Sequence, residues 1–166
     1  PIKVLFLTWK TPKSPSPLLF LELCCSGDDP NQSILQVTDQ PQDAQLILLH
    51  GVDVLRGPGP DGTANETSLG NILDDGDLSV VRPILEECAT RKVPMVCANP
   101  DYVMVKPDSS IGYMPGKIAE LYMELGGPCR SFGKPHVPHF EACLNVLGLP
   151  KDRVAHVGDS LHHDIA

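Results

Sequence analysis

The sequence predicts an α/β fold with a mostly parallel sheet. Three observations predict it. Short, wholly apolar runs recur along the chain, as at Val4–Leu7 and Leu46–Leu49. From about Leu46 onward such runs alternate with stretches whose apolar residues repeat at helical spacing. Gly, Pro, Asn and Asp punctuate the boundaries between them.

Taken in order, Lys3-Val4-Leu5-Phe6-Leu7-Thr8 reads as a buried strand, and Lys10 to Pro17 as a loop. Leu18 to Gln42 carries no readable period. Leu46 to His50 is a second strand, closed by Gly51, and Gly57 to Asn65 is a Gly- and Pro-rich surface loop. Val81, Ile84, Leu85 and Cys88 share one face of a helix. Pro83 fits only its first turn, and Arg91 and Lys92 close its last turn, where cations favour the helix dipole. Pro94 to Ala98 is a strand left through the turn Asn99-Pro100-Asp101. Ile118, Leu121, Tyr122 and Leu125 form another helical face, stopped by Gly126-Gly127. Phe140, Cys143, Leu144 and Leu147 form a third, and Val154 to Val157 is a final strand.

Composition bounds the function classes. At 166 residues the chain makes one to two small domains, and 42% of it is hydrophobic. The net charge of -8, with no basic stripe, argues against a nucleic-acid partner. No apolar run approaches the ~18 residues that span a bilayer, so no membrane association is expected. The chain opens on Pro1, and Val4–Leu7 is too short for a signal-peptide core, so a late start or a fragment is expected. None of the six cysteines forms Cys-x-x-Cys, which argues against zinc. Cys88, Cys97 and Cys143 lie within apolar periodic segments and read as buried thiols of an intracellular, cytoplasmic protein; organellar targeting stays open.

In open α/β sheets, ligands bind beyond the carboxyl ends of the strands. Two features lie there. Gly158-Asp159-Ser160-Leu161-His162-His163-Asp164 sets two carboxylates five residues apart around a tight turn, hard oxygen donors of the kind Mg²⁺ takes. The same residues also read as a plain helix start with Asp159 or Ser160 as N-cap. Phe132-Gly133-Lys134-Pro135 places a lysine at a helix start, where it can pair with phosphate or stand solvated in a turn. His162-His163 are neighbours that point apart on a helix, so they read as solvated rather than as a metal pair.

Gly-Lys-Pro, a helix, then an apolar strand ending in Gly-Asp-x-x-x-x-Asp resembles the third and fourth motifs of haloacid-dehalogenase (HAD) phosphatases. Pro94 to Ala166 resembles the class-II branch with an α/β cap, that of the NagD-like and phosphoglycolate or pyridoxal-phosphate phosphatases. Ala98-Asn99-Pro100-Asp101 and Gly116-Lys117-Ile118-Ala119 resemble segments of that cap, and Ala44 to Gly51 resembles a cap strand more loosely. The likeness covers roughly two thirds of the chain and stops short of Thr11 to Val37. It implies an α/β cap over 1–128 and a partial HAD-like, Rossmannoid parallel-sheet core over 129–166. It implies Mg²⁺ held by Asp159, with Asp164 orienting the metal or its waters. Lys134 is implied as the catalytic lysine that holds nucleophile and phosphoryl group by charge. Asn99 and Asp101 are implied near the cap surface that selects substrate, with Ser160 adding a binding contact. The implied ligand is a small phosphorylated metabolite, and the implied assembly is a homodimer through the cap.

The family's Asp-x-Asp nucleophile, which forms an aspartyl-phosphate, has no counterpart after an apolar strand. Asp28-Asp29, Asp74-Asp75 and Asp75-Gly76-Asp77 all sit in polar, turn-like contexts. Thr8 could end the strand that carries the second motif, but Trp9-Lys10 follows it, and a cap strand is the preferred reading. The chain alone is therefore expected to lack phosphatase activity, with the nucleophile upstream of Pro1. The alternatives are a degenerate HAD-like binding or regulatory protein and an unrelated α/β phosphate binder.

Overall fold

The computed structural model describes residues 1–10, 34–60 and 64–158. Its centre is β1, Ile2–Thr8, in which Val4, Leu5, Phe6 and Leu7 are all fully buried. Side chains alternate along a strand, so Leu5 and Leu7 enter one core while Val4 and Phe6 enter another on the opposite face. A run apolar on both faces suits a central parallel strand. β3, Leu46–Leu49, runs parallel beside β1; β6, Met95–Cys97, beside β3; and β9, Cys129–Ser131, beside β6. The other edge of β1 is shared. β2, Leu35–Val37, pairs parallel with its first half, and β4, Val54–Pro58, antiparallel with its second half. β5, Ala64–Ser68, closes that edge against β4. The result is a mixed α/β fold with a parallel-dominated, seven-stranded sheet, the class the sequence predicts.

The larger core lies under three helices: α1, Ile72–Asp75; α2, Arg82–Thr90; and α3, Pro115–Glu124. The face expected for α2 is present. Val81, Leu85 and Cys88 are fully buried, with Ile84 at the margin, and Pro83 lies in the first turn. α3 buries Ile118, Ala119, Leu121 and Tyr122 and stops at Gly126, whose φ of 79° few other residues adopt without strain. The Tyr122 hydroxyl donates to the Val93 carbonyl, which ties α3 to the start of β6. β7, Val103–Val105, and β8, Ile111–Tyr113, form a separate hairpin, and β8 packs on α1.

Four expectations are corrected. Gly57–Asn65 is not simply a loop, because both of its ends belong to the β4–β5 hairpin. Backbone pairing and the 3.0 Å Arg56–Glu66 ion pair hold that hairpin, and Gly57 fits because Asp39 occupies the space a Cβ would need. Arg91 and Lys92 follow α2 rather than close its last turn. Arg91 donates to the carbonyls of Pro41 and Ala44, and Lys92 donates to Gly126 from a backbone with φ 56°. The sheet runs through β9 to Ser131. Val154–Val157 forms no strand, since no described strand runs beside it to complete a ladder. Cys143 is exposed rather than buried. It lies on α4, Val137–Leu147, whose apolar face lines a groove of about 400 Å³ together with Lys151 and Val154 to His156, the Phe140 ring meeting His156 edge-on. The remaining thiols that can be placed are buried (Cys88, Cys97) or half-buried (Cys129).

Candidate functional site at the carboxyl edge of the sheet

Parallel strands end on the same side, and here the register makes the meeting explicit. Leu7 pairs with Leu49, Leu49 with Cys97, and Cys97 with Ser131. The segments that leave β1, β3, β6 and β9 therefore emerge at one edge. They are Thr8-Trp9-Lys10, His50-Gly51, Ala98 to Asp101, and Phe132 to Lys134. This is the carboxyl edge where such sheets bind ligands.

Each segment is pinned by backbone hydrogen bonds. The His50 N–H donates to Leu7 O at 2.9 Å, Ala98 to Leu49 O at 2.8 Å, and Phe132 to Cys97 O at 2.7 Å. Gly51 lies flush on the Thr8–Trp9 backbone and leaves no room for a Cβ. The Asn99–Asp101 turn is an Asx turn: the Asp101 N–H donates to Asn99 Oδ1 at 3.3 Å. The Cys97 thiol donates to Asn99 O at 3.3 Å. From α3, the Gly116 N–H donates to Asp101 O at 2.8 Å.

The Lys134 loop lies against this turn. Gly133 has φ 112°, and a Cβ there would stand 3.1 Å from Pro100 Cδ. The Lys134–Pro135 peptide is cis. Lys134 is half-buried and engaged by a neighbour, and α4 begins three residues later. Thus Asn99, Asp101 and Lys134 come from loops that touch. Asp159, Ser160 and Asp164, with His162-His163, lie outside the described residues.

His50 is a feature the sequence reading missed. Its Nδ1 is buried and has no hydrogen-bond partner among the described residues, and burial lowers its pKa below the ordinary value. A histidine closing the apolar run Leu46–Leu49 was the available signal. The Cys97 thiol, expected only to fill the core, also braces the turn, and its burial pushes the thiol pKa up to about 12. Asp75-Gly76-Asp77 takes no part in this edge. Asp75 caps the Asp77 N–H, and Asp77 accepts from the Ser79 N–H and hydroxyl, which lowers its pKa. This is a closed surface turn. Among the described residues no three metal-ligating side chains group together, and no helix is long and apolar enough to cross a membrane.

Residues 131–166 match the HAD-hydrolase-like family. A HAD-like hydrolase from Brucella suis superposes with a TM-score of 0.62 at 19% identity, covering 99% of this chain and 52% of its own. A p-nitrophenyl phosphatase from Archaeoglobus fulgidus gives 0.58 at 22% identity, covering 99% and 49%. A hypothetical protein from Pyrococcus horikoshii gives 0.57 at 17%, covering 99% and 51%. The C-terminal match and the shared fold together liken this chain to the haloacid-dehalogenase-like hydrolases. The chain spans about half the length of the solved structures it matches, one of which is a phosphatase. No curated protein matches it.

Proposed function

We propose that this chain forms the α/β cap and part of the core of a magnesium-dependent phosphatase acting on a small phosphorylated metabolite. The observation that carries the reading is the contact between the Lys134 loop and the Asn99–Asp101 turn at the carboxyl edge of the sheet. Lys134 would hold the phosphoryl group by charge, near the head of α4, where the helix dipole favours an anion. Asn99 and Asp101 would meet the remainder of the substrate, and Ser160 would add a hydroxyl.

The donor set suits a hard cation. Asp159 and Asp164 offer carboxylate oxygens, and Mg²⁺ is commonly held by one or two carboxylates plus water and phosphate. When bound, the ion would supply charge neutralisation on the phosphate oxygens. Phosphoryl transfer depends mostly on positioning and electrostatics, and these are the tasks of the residues assigned here. The covalent aspartyl-phosphate step would use an aspartate outside the described residues, since Asp75 and Asp77 are committed to a surface turn.

The test is binding of inorganic phosphate to this chain by calorimetry, with and without Mg²⁺. Mg²⁺-dependent binding that Lys134→Met and Asp159→Asn each weaken at least about tenfold supports the proposal. Phosphate binding indifferent to both substitutions refutes it. A degenerate binding protein separates from an enzyme through turnover of p-nitrophenyl phosphate by the longer protein: Asp159→Ala abolishes turnover in an enzyme and has none to abolish in a binding protein.

A further inference from the structure

We propose that Pro100 is a positioning residue for Lys134, so that the turn facing the substrate and the lysine facing the phosphate move as one body. This rests on the reading of Lys134 as the phosphate-binding lysine.

The turn is fixed on three sides. Below it, the Cys97 thiol bonds to Asn99 O at 3.3 Å. Within it, Asn99 Oδ1 holds the Asp101 N–H at 3.3 Å. Behind it, the Gly116 N–H bonds to Asp101 O at 2.8 Å, and a Cβ on Gly116 would come within 2.7 Å of that same oxygen. Its remaining side is the ring of Pro100, whose locked φ gives that face one orientation. Gly133 lies on this ring, with Pro100 Cδ 3.1 Å and Pro100 Cγ and Ala98 O 3.7 Å from where its Cβ would be. Lys134 follows immediately. Two backbone bonds bracket the contact: Phe132 N–H to Cys97 O at 2.7 Å, and His136 N–H to Gly133 O at 2.9 Å. The position of the Lys134 Cα is thus set by a surface that belongs to the turn.

The consequence is a selection device. A ligand that fits the Asn99–Asp101 turn leaves Lys134 in place for its phosphate. A ligand that displaces the turn displaces the lysine as well. Misplacing a catalytic group by about 1 Å can cost roughly a hundredfold, so selection at one end of the substrate is felt at the other.

The experiment is amide hydrogen exchange, read beside affinity for inorganic phosphate in the presence of Mg²⁺, on the whole chain and on Pro100→Ala. The expected result is exchange at least about tenfold faster at the Phe132 and His136 amides, with those of β1 and β3 unchanged. Phosphate affinity is expected to fall in parallel while the melting temperature holds. Pro100→Val, which keeps an apolar side chain but removes the fixed ring, is expected to do the same to a smaller extent, and it decides the matter if Pro100→Ala fails to fold. Exchange at 132 and 136 unaltered in the folded variant overturns the proposal. Exchange that accelerates in a protein with no phosphate affinity at all sinks the phosphatase reading and leaves the mechanical link standing. Faster exchange with undiminished affinity overturns the claim that Pro100 positions Lys134.

Discussion

Tyr122→Phe isolates one bond that holds the frame beneath the site. Tyr122 is fully buried, and its hydroxyl donates to the carbonyl of Val93, just ahead of β6. Gly127 lies directly against its ring. Phenylalanine keeps that ring and opens almost no cavity, so the loss is confined to the hydrogen bond. A typical intramolecular bond contributes about 1 kcal/mol net, but a buried carbonyl left without a partner raises the cost to about 1–3 kcal/mol. For a chain of this size each kcal/mol lowers Tm by about 2–4 °C, so a drop of about 4–8 °C is expected for a loss near 2 kcal/mol. Urea unfolding followed by circular dichroism measures it, with the m-value unchanged because the same surface is exposed. Tyr113→Phe, on the separate hairpin, serves as control. A Tyr122→Phe protein within about 0.5 kcal/mol of the parent would show that Val93 O finds another donor and that α3 is not tethered in this way.

Three further outcomes are expected. Burial lowers the pKa of His50 below 6.5, so its neutral form is the one the fold accepts. Above pH 6.5 this costs nothing; as pH falls through 6.5 the unfolded chain protonates first and stability drops. The Tm of His50→Phe should therefore fall less between pH 7 and pH 5 than that of the parent, and equal slopes would dismiss the effect. Among the thiols of the described residues, labelling should reach exposed Cys143 first. Cys88 and Cys97, with pKa values pushed up to about 11 and about 12 by burial, should resist even at pH 9 until the protein unfolds; peptide mapping by mass spectrometry reads the order. Gly51→Ala places a Cβ into the Thr8–Trp9 backbone, and a loss of about 1–3 kcal/mol is expected in the same urea assay.

The sequence made the central strands and the helices legible for physical reasons. β1 and β3 are buried on both faces, so they appear as continuous apolar runs, and α2 and α3 turn one stripe of Leu, Ile, Cys and Tyr toward one core. β9 was not legible, because Cys129-Arg130-Ser131 is three residues long and only half-buried. β4 and β5 were hidden by Gly57 and Pro58. An edge hairpin draws on backbone pairing and cross-strand contacts such as Arg56–Glu66, which leave no apolar trace. Of the candidate site, the Gly-Lys-Pro loop singled out Lys134, and Asn99 and Asp101 came only with the family resemblance. Their meeting depends on the register Cys97↔Ser131 and on the Pro100–Gly133 contact, both properties of the folded sheet. The bracing thiol of Cys97 and the buried nitrogen of His50 depend on which way a side chain points, which composition does not encode.

The order of the strands bears on how the molecule is made. From β1 outward, one side of the sheet reads β3, β6, β9, and the other reads β4, β5. Each of these strands is added beyond one that precedes it in the chain, so none has to be inserted between two already paired. Emerging from the ribosome N-terminus first, the sheet can grow at its margins as it is synthesised. The loop bearing Lys134, carried by the outermost parallel strand, is then laid down on a turn that is already in place.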